Sequence, residues 1–261
     1  MYPILVDWGP FFIPSWHFFY VLAAFASYFV LTLFVRQFYP RISKNFLISL
    51  FTVGYISGYF GARLLSIIIE EFQYETILQK LGALFVLGPM TLYGGMIATC
   101  GACLAYVLYK REDPRPLLDC AIPAGVFGVA VGRIGCFLNG DDYGIIVGTE
   151  RSAAPWWAVN FPNHEIILPR LPIQLIEAGV CLAIVALVFY WMKKFVKDFP
   201  QGFWGIVTIC LYAFSRFFLE YGRGDPRGWI VTEKISTSQG ISIVILAFCS
   251  ISILALWRHS K

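Results

Sequence analysis

The chain has 261 residues, of which 58% are hydrophobic and 14% are charged, and its formal net charge is +4. A soluble domain carries about 25% charged residues, so this composition excludes an ordinary soluble globular protein and predicts a membrane protein. A net charge this small gives no reason to expect nucleic acid as a partner.

Seven long apolar runs follow one another along the chain. The length of each is close to that of a membrane-spanning helix, which needs about 20 residues. We predict spans at 16–35, 46–69, 83–109, 117–138, 172–192, 203–221 and 240–257. The sequence therefore predicts an all-α, polytopic protein in which residues 1–261 form a single transmembrane helical domain. Because no Lys or Arg precedes the first span, we do not expect a cleavable signal peptide.

Basic residues are unevenly divided between the two sides of this predicted bundle. One side carries Arg36, Arg41, Lys44, Lys110, Arg111, Arg115, Lys193, Lys194, Lys197, Arg258 and Lys261. The other side carries Lys80, Arg151, Arg170, Arg223, Arg227 and Lys234. Since cytoplasmic loops are enriched in Lys and Arg, we predict that the N-terminus is outside and the C-terminus is cytoplasmic.

The longest connection, residues 139–171, is rich in Gly, Pro and Trp and includes Pro155, Trp156, Trp157 and Pro162. Trp prefers the interface between membrane and water. We therefore predict a small outward-facing periplasmic cap between spans 4 and 5.

Three arginines, Arg63, Arg133 and Arg216, fall inside predicted spans. An ionised side chain at bilayer depth costs at least about 2.5 kcal/mol, so it needs a partner or a wet cavity. Each arginine either reaches from a helix end to the membrane surface or binds an anion in the interior. Asp119, near the start of the fourth span, is predicted to be structural, because an acid suits a helix N-terminus.

Other polar residues recur at helical spacing in two later segments, namely Gln174 with Glu177, and Tyr212, Arg216, Glu220 and Arg223. A helix face that carries Arg216 and Glu220 is not expected to point into lipid. It either locks helix packing as a neutral cluster or forms part of a binding site. Because guanidinium groups bind phosphate through paired hydrogen bonds, buried arginines predict a site for an anionic lipid headgroup.

The seven cysteines, Cys100, Cys103, Cys120, Cys136, Cys181, Cys210 and Cys249, all lie in apolar surroundings. Their odd number argues against a disulfide framework, and we predict that they pack as small apolar residues. The alternative is a redox role for Cys100 and Cys103, which have the required spacing.

The segment Gly132–Gly144, GRIGCFLNGDDYG, resembles the signature G-R-x-G-N-F-x-N-x-E-x-x-G of bacterial prolipoprotein diacylglyceryl transferases. The resemblance continues over most of the chain. It includes Tyr93-Gly94-Gly95 (family H-G-G), Pro155-Trp156 and Phe161-Pro162 in the cap, Pro172–Glu177 (H-P-T-Q-L-Y-E), Tyr212–Arg223 (Y-x-x-x-R-F-x-x-E-x-x-R) and Ser238–Ser242. Seven spans with an external N-terminus is also the topology of that family.

The resemblance implies a divergent family member in the bacterial inner membrane. Such an enzyme moves diacylglycerol from phosphatidylglycerol to the lipobox cysteine of a secreted lipoprotein precursor, and glycerol phosphate is the leaving group. Its partners would be phosphatidylglycerol, the precursor and membrane lipid, with no metal, other cofactor or nucleic acid. Two alternatives stay open: a paralogue with another acceptor, and a non-catalytic membrane protein that binds lipid or precursor.

By this resemblance, Arg133 and Arg216 are candidate catalytic residues that grip the phosphate, because a leaving phosphate needs positive charge. The candidate substrate-binding residues are Arg133, Asn139, Gly144, Gln174, Glu177, Tyr212, Glu220 and Arg223. The thiol must lose its proton to become a nucleophile, and Tyr93 and His17 are the candidate bases.

The sequence departs from the family pattern at several of these positions. The histidine of H-G-G is replaced by Tyr93, and an unperturbed phenol, with a pKa of about 10, is a weaker base near neutral pH. His17-Phe18 aligns with a family Tyr-Gly. Further replacements are Cys136 for Asn, Asp141 for Glu, Leu171 for His and Ile176 for Tyr.

Overall fold

The computed structural model describes residues 2–9, 11–69, 76–85, 90–150, 154–161, 167–226, 228–231 and 234–259. Its contacts divide the chain into two compact units. Unit 1 comprises Met1–Phe38 and Pro116–Lys261, and unit 2 comprises Tyr39–Arg115.

The described residues are mostly helical. The helices are α1 (Ser15–Phe38), α2 (Lys44–Ile69), α3 (Ile77–Ala83), α4 (Leu92–Tyr109), α5 (Pro114–Asn139), α6 (Ile173–Phe195), α7 (Phe203–Leu219) and α8 (Thr237–His259). Short antiparallel pairs were not predicted: β1 (Ile4–Trp8) with β2 (Phe11–Pro14), β3 (Val159–Asn160) with β4 (Pro169–Arg170), and β5 (Trp229–Val231) with β6 (Ile235–Ser236). The prediction of an all-α chain is therefore correct for the bundle but not for the connections.

Within the described residues, six helices are long and apolar enough to cross a membrane. They are Ser15–Phe38, Lys44–Ile69, Pro114–Asn139, Ile173–Phe195, Phe203–Gly222 and Thr237–Leu254. Their positions agree with six of the seven predicted spans, as expected for a multi-pass membrane protein.

The predicted third span, 83–109, differs from the structure. Residues 77–83 form the separate helix α3, residues 84 and 85 form a turn, and α4 begins at Leu92. The apolar part of α4, Tyr93–Tyr109, is shorter than each of the six long apolar helices. Gly88 and Pro89 lie within the predicted span, and both residue types disfavour a continuous helix.

Unit 1 is held together by close contacts between its helices. A Cβ at Gly128 of α5 would overlap the hydroxyl oxygen of Ser27 on α1 and lie 3.3 Å from the carbonyl oxygen of Ala23, so a larger residue here would force a side chain or helix to shift. Phe34 of α1 packs edge-on against Phe189 of α6, with ring centroids 5.2 Å apart. The N-terminal hairpin is tied to the end of α5, because the backbone N–H of Tyr2 donates to the carbonyl of Leu138 at 3.0 Å.

Asp119 is fully buried in α5 and stabilises a different helix from the one predicted. Its carboxylate accepts hydrogen bonds from the backbone N–H groups of Gly202 at 2.9 Å and Gly205 at 2.8 Å. These groups are at the N-terminus of α7, where unpaired N–H groups favour a negative charge. The structural role was predicted correctly, but the stabilised terminus belongs to α7 and not to α5.

Unit 2 is built on the close pairing of α2 and α4. A Cβ at Gly61 would lie 2.6 Å from the carbonyl oxygen of Gly94, and the Thr99 hydroxyl donates to the carbonyl of Gly54 at 3.1 Å. Small residues of this kind let membrane helices approach closely. Arg63 is 2% exposed, and its Nε donates to the carbonyl of Ala83 at 2.9 Å. Arg63 is therefore buried within unit 2, where it stabilises the end of α3.

Candidate active site

The candidate active site lies in unit 1, where a strand-like segment connects three parts of the chain. Residues 144–147 run between residues 222–224 on one side and residues 169–171 on the other. The backbone N–H of Ile145 donates to the carbonyl of Gly222 at 3.0 Å, and the backbone N–H of Leu171 donates to the carbonyl of Ile145 at 3.0 Å. Gly144 pairs with Arg223, and Ile146 pairs with Arg170. This pairing brings the end of α5, the start of α6 and the end of α7 together.

Arg133, on α5, forms the first part of an ionic cluster at this junction. Its Nε is 2.9 Å from Oε2 of Glu177 on α6, and its Nη1 donates to Oδ2 of Asp142. The Arg133 side chain is 15% exposed and that of Glu177 is 3% exposed.

Arg216, on α7, forms the second part. Its Nη1 is 2.7 Å from Oε2 of Glu220, one turn later, and its Nε is 3.8 Å from Oε1 of Glu177. Its Nη2 also donates to the Ser238 hydroxyl at 3.4 Å. Arg216 therefore lies between two buried carboxylates.

Arg223 follows α7 and forms the third part. Its Nη2 is 2.6 Å from Oδ1 of Asp142 and 2.5 Å from Oδ2 of Asp225, and its Nε is 4.0 Å from Oε2 of Glu220. The ionic cluster thus contains three guanidinium groups and four carboxylates, from Arg133, Arg216, Arg223, Asp142, Glu177, Glu220 and Asp225. All three arginines are paired with carboxylates of the same chain.

The loop that ends α5 carries further polar contacts. Gly140 has φ +89° and Asp142 has φ +54°, both in the left-handed region, so the helix stops here and the chain turns back. The Asn139 amide donates to the Asp141 carboxylate, and Nε2 of Gln174 donates to the backbone carbonyl of Asp141 at 2.7 Å. Gln174 is 1% exposed, and it connects the start of α6 to this loop.

Asp142 lies outside the membrane-spanning helices, and its pKa is lower than the ordinary value. Burial raises the pKa of this carboxyl group, but attraction to Arg133 and Arg223 and their hydrogen bonds lower it more. Asp142 is therefore a carboxylate at neutral pH.

Gly144, a candidate substrate-binding residue, is enclosed by backbone. A Cβ at this position would lie 3.0 Å from the carbonyl oxygen of Gly222 and 2.8 Å from Cβ of Leu171. Its requirement for glycine is explained by this close approach. Tyr212 is partly buried on α7, one helical turn before Arg216.

The two candidate bases belong to α1 and α4. His17 is in the first turn of α1, where its ring stacks on Trp16 with centroids 3.6 Å apart. Both of its ring nitrogens are buried, and neither has a hydrogen-bond partner within the described part of the chain. Tyr93 belongs to unit 2, where it is 47% exposed in the first turn of α4.

Four residues of this region were not among the predicted site residues. Asp142, Asp225 and Ser238 contact the arginines, and Arg170 is 9% exposed, with its guanidinium carbon 4.3 Å from the centre of the Tyr143 ring. Asp142 lies within the recognised signature and Ser238 within the segment Ser238–Ser242 that also resembles the family, so a signal for these two residues was present in the sequence. Nothing in local spacing indicates that it pairs with Arg223, 81 residues later.

Comparison with known proteins gives matches along nearly the whole chain. The profile of a family described as prolipoprotein diacylglyceryl transferase matches residues 3–256. A protein of Desulfotalea psychrophila is 29% identical over 270 aligned positions, covering 99% of this chain and 94% of its own length. A protein of Idiomarina loihiensis is 30% identical over 247 positions, covering 91% of this chain and 86% of its own. Both relatives are named phosphatidylglycerol–prolipoprotein diacylglyceryl transferase.

Proposed function

Because this chain belongs to the prolipoprotein diacylglyceryl transferase family, we propose that it is a transferase that moves the diacylglyceryl group of phosphatidylglycerol onto a lipoprotein precursor. The acceptor is the thiol of the lipobox cysteine in the precursor's signal peptide. In the reaction the thiol loses its proton, a C–S bond forms at the diacylglyceryl carbon, and the C–O bond to the phosphate breaks. Glycerol phosphate leaves with the electron pair of that bond.

The observation that carries this proposal is the ionic cluster at the junction of α5, α6 and α7. The reaction develops negative charge on the departing phosphate, and guanidinium groups fixed beforehand stabilise such charge most effectively. Arg133 and Arg216 are fixed in this way, since Glu177 contacts both of them. We assign the binding of the phosphate group to these two arginines.

The remaining candidate residues orient the lipid headgroup or the arginines. These are Asn139, Gly144, Gln174, Glu177, Tyr212, Glu220 and Arg223. Glu177 and Glu220 keep the guanidinium groups in place through ion pairs, and Gln174 holds the loop after α5. A misplacement of about 1 Å at such a site is enough to cost a large part of the rate.

Tyr93 and His17 are proposed to act on the thiol proton. Tyr93 takes the position of a family histidine, and it is 47% exposed. His17 is the other candidate, because a neutral imidazole has one nitrogen that can accept a proton.

We place the enzyme in the bacterial inner membrane as a single multi-pass domain with seven spans, an external N-terminus and a cytoplasmic C-terminus. Residues 139–171 then form a periplasmic cap. Six long apolar helices support this arrangement, and α4 is proposed as the seventh span. With 18 residues, it is about 27 Å long, close to the thickness of the hydrocarbon core.

The proposal is tested with purified full-length protein, phosphatidylglycerol vesicles and a synthetic lipobox peptide. Mass spectrometry should show a peptide heavier by one diacylglyceryl group, and a peptide with Cys→Ser at the lipobox should stay unchanged. An unmodified peptide, under conditions where a relative with the family histidine is active, would show that this chain uses another acceptor or has lost catalysis.

A further inference from the structure

Asp142 fills the space between two arginines of the ionic cluster. One oxygen of its carboxylate accepts a hydrogen bond from Nη1 of Arg133, and the other lies 2.6 Å from Nη2 of Arg223. Arg133 is on α5, whereas Arg223 follows α7, so these two donors come from separate elements. A single anion with two oxygens is thus held by two guanidinium groups.

The other carboxylates of the cluster are less accessible. The side chains of Glu177 and Glu220 are each 3% exposed and that of Asp225 is 13% exposed, whereas that of Asp142 is 33% exposed. Removing a buried carboxylate from its partners without water to receive it is very costly. Asp142 is therefore the carboxylate that can leave its arginines most easily.

The backbone around Asp142 also favours exchange. Asp142 lies in a loop, three residues past the end of α5, and its φ of +54° is one that Asp tolerates but most side chains avoid. No regular helix or strand ladder fixes its side chain, so it can turn away while α5 and α6 stay in place.

Both arginines keep a second partner when Asp142 leaves. Nε of Arg133 remains 2.9 Å from Glu177, and Nε and Nη2 of Arg223 remain 2.8 Å and 2.5 Å from Asp225. The two guanidinium groups therefore stay oriented, and the donors that had bonded to Asp142 point at a vacated anion position. This arrangement presents preformed donors to an incoming ligand.

We infer that Asp142 is a displaceable counter-ion, whose carboxylate holds the place between Arg133 and Arg223 that a phosphate group takes when the ligand binds, so that Arg223 joins Arg133 and Arg216 in binding the phosphate. A phosphate offers two oxygens with a spacing close to that of a carboxylate, and both groups accept paired hydrogen bonds from arginine. The inference rests on the proposed function only for the source of the phosphate, which is either the lipid headgroup or released glycerol phosphate.

Such a counter-ion makes the site selective. Without a ligand, it neutralises two arginines, so a free anion must compete with a tethered carboxylate. A phospholipid has additional binding energy from its acyl chains and can displace Asp142 where a small anion cannot. Asp142 is thus a positioning and selectivity residue, and it does not take part in the chemical step.

The inference is tested by measuring ligand binding to the full-length protein in detergent, which requires no catalysis. Asp142→Asn removes the charge and keeps a residue that accepts a positive φ. Isothermal titration calorimetry should show that glycerol phosphate and inorganic phosphate bind at least about tenfold more tightly to this variant than to the wild type. Asp142→Gly, which also accepts the backbone conformation, should give the same direction of change.

Asp225→Asn is the matched control, because it removes a carboxylate from Arg223 without opening the position between the two arginines. It should tighten glycerol phosphate binding much less than Asp142→Asn does. Unchanged or weaker anion binding in both Asp142 variants would overturn the inference and leave Asp142 as a tie between α5 and the segment after α7.

Binding to phosphatidylglycerol in nanodiscs identifies the source of the phosphate. Equal tightening for lipid and free glycerol phosphate would support a common phosphate position, and tightening for the lipid alone would assign the position to the headgroup. Tighter binding of these anions by Asp142→Asn, together with a wild type that modifies no lipobox peptide, would support the counter-ion role of Asp142 and contradict the proposed transferase function.

Discussion

Glu177 contacts both Arg133 and Arg216, which lie on two apolar helices of unit 1. Its Oε2 is 2.9 Å from Nε of Arg133, and its Oε1 is 3.8 Å from Nε of Arg216. The three residues belong to α6, α5 and α7, so a single buried carboxylate joins three helices. By pairing with both guanidinium groups, it offsets the repulsion between them.

The substitution Glu177→Gln should therefore impair both stability and transfer. It keeps the size of the side chain but leaves the two arginines without their shared charge. Breaking a buried pair in this way costs about 3 kcal/mol. We expect a lower thermal midpoint in detergent and at least tenfold slower transfer. Glu112→Gln, at an exposed position, is the control; equal behaviour of the two variants would contradict the assigned role.

Arg133→Ala and Arg216→Ala should abolish transfer while the protein still inserts into the membrane. Each change removes a donor for the leaving phosphate, and such donors contribute about 3 kcal/mol to the rate. Transfer and the amount of protein in the membrane fraction should be measured together. Arg115→Ala removes an exposed arginine that pairs with Asp113 and should leave transfer unchanged. Wild-type transfer in either variant of the cluster would exclude phosphate binding by that arginine.

The bundle was predictable from the sequence because each spanning helix carries its own signal, a run of about 20 apolar residues. The predicted third span was too long, because residues 77–83 form the separate helix α3 and α4 begins only at Leu92, a division that hydropathy alone does not register. Arg133, Arg216 and Glu220 were recognised as site candidates because charge is costly within a span. Asp142 and Asp225 lie in loops, where a carboxylate has no such cost, so their pairing with Arg223 became visible only in three dimensions.

Tyr93→Phe tests whether the phenol takes part in the reaction. If the hydroxyl group handles the thiol proton, its removal should reduce kcat at least about tenfold, in the range of acid–base catalysis. Tyr109→Phe, at the other end of α4 and also exposed, should have no effect. A wild-type kcat for Tyr93→Phe would assign that residue to packing.

The stabilising effect of Asp142 should depend on pH. Its folded-state pKa is below the ordinary value, so its contribution is present above the unfolded pKa of about 3.9. It is lost as the pH falls through the folded-state pKa. The thermal midpoint of the wild type should exceed that of Asp142→Asn near neutral pH, and the difference should disappear in strong acid. A difference that is constant with pH would contradict the ion-pair role.

The pairing of α2 and α4 is tested by two matched glycine substitutions. Gly61→Ala places a methyl group 2.6 Å from the carbonyl oxygen of Gly94, whereas Gly101→Ala places it in open space. We expect Gly61→Ala to lower the free energy of unfolding by about 1–3 kcal/mol and Gly101→Ala to raise it slightly. Thermal unfolding in detergent measures both. Equal stability of the two variants would show that the helices do not depend on this contact.

If this chain is the proposed transferase, it moves the diacylglyceryl group of phosphatidylglycerol and releases the phosphate headgroup. The most direct measurement uses phosphatidylglycerol that carries one label in its acyl chains and another in its glycerol phosphate. A lipobox peptide and the purified protein should convert it to labelled peptide and labelled glycerol phosphate in equal amounts, and Arg133→Ala should form neither product. Release of glycerol phosphate without labelled peptide, or no release by the wild type, would contradict the claim.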